Sequence, residues 1–227
     1  MPRRNRRGRR RNPRGKPRGR RRRAGMSTNI VRMPTLLPDR IKTTLRYRQS
    51  ITYTNSTGFG SNCFSLNSIY DPNVTGGGHQ PLGYDQWGAF YQQYEVKSSS
   101  IKAMILPPSL SCPVRFVIYP STTSTTITDS KTAAEQPYAR ATVINSTVVS
   151  PGNTLRHRMS VRRLEGRNTA SINFTAPFGS SPTLERYWHT IIFSLDDATD
   201  ISSILVDFEI LYHTILFNRF NLNESAI

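Results

Sequence analysis

Residues 41–53 read Ile41-Lys42-Thr43-Thr44-Leu45-Arg46-Tyr47-Arg48-Gln49-Ser50-Ile51-Thr52-Tyr53. The odd positions carry Ile41, Leu45, Tyr47, Ile51 and Tyr53, with Thr43 and Gln49 among them. The even positions carry Lys42, Thr44, Arg46, Arg48, Ser50 and Thr52. Successive side chains of an extended chain point to opposite faces, so this alternation predicts a strand with one apolar face and one polar face. A helix would scatter the same residues around its axis. The rest of the chain has to supply what that apolar face packs against.

Downstream, further runs of β-branched and aromatic residues predict strands at Ser61–Ile69, Tyr94–Leu106, Pro113–Tyr119, Ala139–Thr147, Thr154–Arg163, Tyr187–Leu195 and Ile204–Phe217. Turn clusters divide them: Tyr70-Asp71-Pro72-Asn73, Pro107-Pro108, Pro120, Pro151-Gly152-Asn153 and Asp196-Asp197. Tyr84, Trp87, Tyr91 and Tyr94 recur at three- and four-residue steps and predict a short helix over Asp85–Gln93 whose rings plug a sheet edge. Asp129–Glu135 predicts a capped helical turn. Gly76-Gly77-Gly78 has no phosphate-loop spacing and reads as a flexible connection. Phe174–Thr183, with Pro177 and Pro182, reads as a long loop. About eight strands at irregular spacing, with long loops and scarcely any helix, predict an all-β chain: a single eight-stranded jelly roll of two packed antiparallel sheets.

Upstream, the composition changes abruptly. Residues 1–25 hold thirteen arginines (Arg3, Arg4, Arg6, Arg7, Arg9, Arg10, Arg11, Arg14, Arg18, Arg20, Arg21, Arg22, Arg23), Lys16 and no acid. The arm carries +14 of the formal +17, leaving +3 for the remainder. It has almost nothing apolar to bury and its prolines interrupt any helix, so the composition predicts a disordered tether. Arginine presents a planar fork of donors that fits phosphate oxygens, and it stays charged at every physiological pH. Thirteen arginines against one lysine therefore point to nucleic acid as partner. No aromatic interleaves the run, so base stacking and sequence readout are not expected from it. The same residues suit a nuclear-localisation signal.

Residues 26–38 read as a linker and 39–227 as the globular domain. Within that domain the even positions of the first strand (Lys42, Arg46, Arg48) and of Thr154–Arg163 (Arg156, Arg158, Arg162) give a possible secondary basic face. For the first strand a solvated outer surface is an equal reading.

A search for chemistry finds no Gly-x-Ser-x-Gly elbow, no His-x-x-x-His and no calcium-loop spacing around Asp196, Asp197 and Asp200. His79, His157, His189 and His213 are scattered and read as structural. Cys63 and Cys112 fit neither a disulfide framework nor a zinc site. The most apolar stretch, residues 201–217, contains Asp207, Glu209 and His213, and no membrane insertion is expected. The N-terminus is charged where a secretory leader would be apolar. The expectation is a protein that is not an enzyme, with no cofactor and no metal.

The order Ser68-Ile69-Tyr70-Asp71-Pro72-Asn73, then His79-Gln80-Pro81-Leu82-Gly83-Tyr84-Asp85-Gln86-Trp87, then Phe90-Tyr91-Gln92-Gln93-Tyr94-Glu95-Val96 resembles the capsid proteins of circular Rep-encoding single-stranded DNA viruses, the circovirus-like group. That resemblance implies a jelly roll with two four-stranded sheets and sixty copies in the smallest icosahedral shell. It also implies a circular single-stranded DNA genome inside, and host nuclear import receptors as partners of the arm. It places the chain in the virion and, during assembly, in the host nucleus. No family active site exists to carry over. A coat protein of a small RNA virus and a cellular ribosomal-type nucleic-acid-binding protein share the arm and stand as alternatives.

Overall fold

In the computed structural model of the chain, residues 41–53 lie within a sixteen-residue strand, β1 (Arg40–Asn55). Leu45, Tyr47 and Tyr53 are buried, while Lys42, Thr44, Arg46, Arg48, Ser50 and Thr52 are exposed. The structure describes residues 37–55, 58–106, 113–144, 153–166, 172–195 and 201–221. The arginine arm, most of the predicted linker, Cys112, Asp196, Asp197 and Asp200 lie outside them. The chain divides into two units, Met1–Thr35 and Leu36–Ile227, and every element below belongs to the second.

The elements after β1 are β2 (Phe59–Ser65), α1 (Tyr84–Gly88), β3 (Tyr91–Leu106), β4 (Val114–Ser121), α2 (Ser130–Ala134), β5 (Arg140–Ile144), β6 (Thr154–Ser160), α3 (Val161–Glu165), β7 (Thr175–Pro177), β8 (Tyr187–Ser194) and β9 (Ile201–Arg219). One sheet runs β1-β9-β3-β6, with the short β7 also on β3; the other runs β2-β8-β4-β5. Every pairing is antiparallel. With β7 set aside, the first long strand pairs with the last, the second with the second-last, the third with the third-last, and the middle two with each other. A long hairpin rolled up on itself leaves that pattern, and it defines the jelly roll.

The two sheets close on a core rich in large rings. Tyr47, Phe64, Phe116, Trp188, Phe208 and Tyr212 are fully buried, and Phe64, Phe116 and Tyr53 gather around the Phe208 ring. The polar ends of those rings find partners. Tyr212 donates to the Ser65 carbonyl at 2.8 Å, Trp188 Nε1 to Ser99 Oγ at 2.8 Å, and the Tyr53 hydroxyl meets Thr190 Oγ1 at 2.9 Å. A buried hydroxyl or indole N–H left unpaired costs about 1–3 kcal/mol, so these bonds fix which ring sits where.

The outer faces of the sheets differ. On the β2-β8-β4-β5 sheet, Val117, Tyr119, Ile191 and Phe193 face away from the main core and are covered by α2, through Ala133, and by the polar segment before it. β8 is consequently buried on both faces. Among the described residues, none covers the outer face of the β1-β9-β3-β6 sheet in this way.

Several boundaries move from expectation. β2 stops at Ser65, and Leu66–Ile69 continue as buried loop rather than strand. The helix α1 ends at Gly88 and β3 begins at Tyr91, so Tyr91 and Tyr94 sit on a strand instead of a helix face. Their rings still meet the expected neighbours: Tyr91 packs on Trp87, and Tyr94 and Tyr84 both pack on Phe178. The predicted loop 174–183 contains β7, with Pro177 at its end, where no further ladder donor is required. Gly78 is more than a flexible link: a Cβ there would lie 2.7 Å from the Tyr47 hydroxyl, so the loop packs close against β1.

Candidate nucleic-acid interface

Strand register assembles the uncovered face. Arg46 of β1 lies opposite Leu211 of β9, which lies opposite Ser100 of β3, which lies opposite Arg158 of β6. The next row reads Arg48, Glu209, Lys102, Arg156, and the one after it Ser50, Asp207, Met104, Thr154. Two residues expected on separate strands, Arg46 and Arg158, thus belong to one surface, and so do Arg48 and Arg156. Lys42 joins them along β1, where its neighbours in a broad depression of about 760 Å³ include Lys97, Arg158 and His213.

Arg162 is the exception. β6 ends at Ser160, whose side chain accepts from the Arg163 N–H and caps α3, so Arg162 is an exposed helical residue off the strand. Serine is a favoured N-cap residue, and the bond it accepts from the Arg163 N–H competes with continuation of the strand here. Its neighbour Arg163 places its guanidinium over the Tyr138 ring, 4.7 Å from the centroid.

Three cations of this face went unrecognised in the sequence: Lys97, Lys102 and Arg140. Lys97 and Lys102 are five positions apart, and strict alternation puts them on opposite faces. A bulge between Val96 and Ser98 shifts the register of β3 on β9, so residues on both sides of it reach the same surface. Arg140 comes from β5 in the other sheet and reaches a cleft shared with Lys102, Arg156 and Arg158. No local pattern announces either event.

The cations are not equivalent. Arg48 Nη2 lies 2.6 Å from Asp207 Oδ2, and Arg46 Nε lies 3.9 Å from Glu209 Oε1. Ser50 also donates to Asp207, at 3.1 Å. Lys97 pairs with Glu95. Among the described residues no ion pair engages Lys102, Arg140, Arg156 or Arg158. The face therefore has a neutralised part, around Arg46, Arg48 and Lys97, and an uncompensated half, around Lys102, Arg140, Arg156 and Arg158. Like charges in that half raise the local potential and favour an anion over any other ligand.

The histidines are engaged structurally. His79 stacks on Tyr47 and His189 on Tyr119, with centroids 4.8 and 4.9 Å apart. His189 Nε2 lies 2.8 Å from the Thr123 carbonyl. His213 Nδ1 is 3.0 Å from Thr44 Oγ1, and burial together with Arg158 lowers its pKa. Cys63 is buried, which pushes its thiol up to about 12 and leaves it without thiolate at neutral pH. Among the described residues no three His, Cys, Asp or Glu side chains converge as metal ligands, and no helix is long and apolar enough to cross a membrane.

No protein-family model matches the sequence, and no curated protein is similar to it. Among solved structures, the chain is similar to the giant freshwater prawn Macrobrachium rosenbergii nodavirus semi-empty VLP (11% identity over 84% of this chain and 100% of that chain, TM-score 0.48). It is similar to the BFDV capsid protein in its decameric form (10% identity over 78% of this chain and 99% of that one, TM-score 0.45). It is also similar to the Desmodium yellow mottle tymovirus structure (13% identity over 85% and 99%, TM-score 0.39).

Proposed function

We propose that the chain is the coat protein of a small icosahedral virus, which closes its jelly rolls into a shell and gathers a circular single-stranded DNA genome through residues 1–25. The observation that carries this reading is the pairing of two features in one chain. One is an acid-free arm with fourteen cations in its first 25 residues. The other is a jelly roll with one outer face covered by α2 and, among the described residues, the other uncovered and cationic.

The mechanism is condensation coupled to symmetric assembly. Sixty arms would bring about 840 positive groups to one genome, enough to offset a large share of the phosphates of a small circle. Contacts between copies that close by symmetry yield shells rather than filaments. The arm also serves, on this reading, as the address for nuclear import, and the body requires no cofactor.

Negative-stain microscopy of the purified chain, with sequencing of the nucleic acid that survives nuclease, tests the reading. Shells protecting DNA are expected. Shells protecting RNA would transfer the chain to the RNA-virus alternative, and a monomer under every ionic condition would remove the coat function altogether.

A further inference from the structure

The uncompensated half of the face contains an arrangement that folding alone does not favour. Lys102 of β3 and Arg156 of β6 lie directly across the ladder from each other, and like charges so placed repel. Arg158 is two residues along the same strand, and Arg140 reaches in from β5, which belongs to the opposite sheet. These four side chains line a cleft of about 480 Å³, the volume of roughly sixteen waters. The one acid in its wall, Glu209, lies across the ladder from both Arg48 and Lys102 with Arg46 Nε 3.9 Å away, so a single carboxylate is shared among several cations. His157 lines the cleft as well. It is 8% exposed, its Nε2 lies 2.5 Å from the Tyr138 carbonyl, and its Nδ1 has no hydrogen-bond partner.

We propose that this cleft is a phosphate-binding site, in which Lys102, Arg156 and Arg158 from one sheet and Arg140 from the other hold consecutive phosphates of a nucleic-acid strand. Guanidinium forks from two directions suit a phosphate better than a single carboxylate, because the tetrahedral phosphate offers oxygens to more than one fork at once while a carboxylate offers one planar pair. A bound phosphate cancels the repulsion between Lys102 and Arg156 and ties β5 to β6, the edge strands of the two sheets. The site deepens the packaging reading and rests on it for the source of the phosphate; the cleft itself does not depend on it. In this scheme the arm supplies long-range attraction and the cleft supplies a fixed seat on the body.

The test uses the full chain with the arm's arginines and Lys16 changed to serine, so that binding to the body can be measured. Titration calorimetry at low salt takes two probes, tripolyphosphate and the oligonucleotide dT10. Both are expected to bind, and Arg140→Gln with Arg156→Gln should weaken each by ~10-fold or more. The control pair Arg162→Gln with Arg219→Gln, which removes two charges from outside the cleft lining, should change affinity by less than about two-fold. Equal losses in the two pairs, or no binding of either probe, overturn the site. Binding of tripolyphosphate without dT10 overturns the assignment to nucleic acid and makes the ligand a free oligophosphate.

Lys102→Gln is the second variant, needed should the arginine pair not fold. Relief of the cross-strand repulsion should raise the melting temperature of the ligand-free chain while phosphate affinity falls. A residue with only a packing role would move both downward, and that result sinks the proposal. Nucleic-acid-filled shells from the unaltered chain, seen alongside an indifferent cleft, would leave the coat reading standing and remove this one.

Discussion

Trp188 and His157 show how a single residue decides between a structural and a functional role. The His157 ring packs on Trp188 with centroids 4.9 Å apart, which is a core position. Burial lowers its pKa, and Arg140 and Arg163 add to that effect. A histidine harder to protonate when folded than when unfolded lets the unfolded state bind more protons. Its contribution to stability is present above the unfolded value near 6.5 and is lost as pH falls through the lower folded value. His189 and His213 are shifted the same way, chiefly by burial. The melting temperature of the unassembled chain should therefore fall between pH 7.5 and pH 5.5, roughly the range in which histidines titrate. His157→Gln, which keeps a donor for the Tyr138 carbonyl, should flatten that fall. A wild-type melt indifferent to pH would show that these rings take up protons freely inside the fold. At this scale the sequence showed which residues carry charge, but not which charges are spent. Nothing around Arg48 says that Asp207 will neutralise it, and nothing around Arg156 says that no acid will.

Elements were legible wherever alternation ran long and uninterrupted. β1 runs sixteen residues and β9 nineteen; the period-two pattern of residues 41–53 announced the first, and the run of β-branched and aromatic residues at 204–217 the second, because one face of each packs on the core. The pattern failed at places where a local hydrogen bond or an extra residue competes with the ladder. The Val96/Ser98 bulge of β3 moves Lys97 onto the same surface as Lys102, and the Ser160 cap turns β6 into α3. The cap accounts for the displacement of Arg162, and its strength can be measured. Ser160→Ala removes the acceptor for the Arg163 N–H and should cost about 1 kcal/mol in urea unfolding, with an unchanged slope. The phosphate cleft should lose little affinity in the same variant, because α3 carries none of its four cations. A large loss of binding would mean that α3 holds Arg158 in place and that the cleft is less self-contained than its lining suggests.

For the whole molecule, the arm and the cleft make separable demands on salt. On single strands the slope of log K against log salt is about −0.7 for each phosphate neutralised. Fourteen arm cations could contribute a slope of up to ~10, and the four of the cleft up to ~3. The full chain titrated with dT40 between about 50 and 200 mM salt should show a steep slope dominated by the arm. Deletion of residues 2–24 should remove most of that slope and leave a shallow remainder, provided the body keeps its native circular-dichroism spectrum. In that truncated background the Arg140→Gln and Arg156→Gln pair should abolish much of the remainder, and Arg162→Gln with Arg219→Gln should not. Particles assembled from the truncated chain should be shells poor in nucleic acid, judged by their absorbance ratio. Wild-type levels of packaged nucleic acid without the arm would instead assign packaging to the body, and the division of labour between attraction and seating would be reversed.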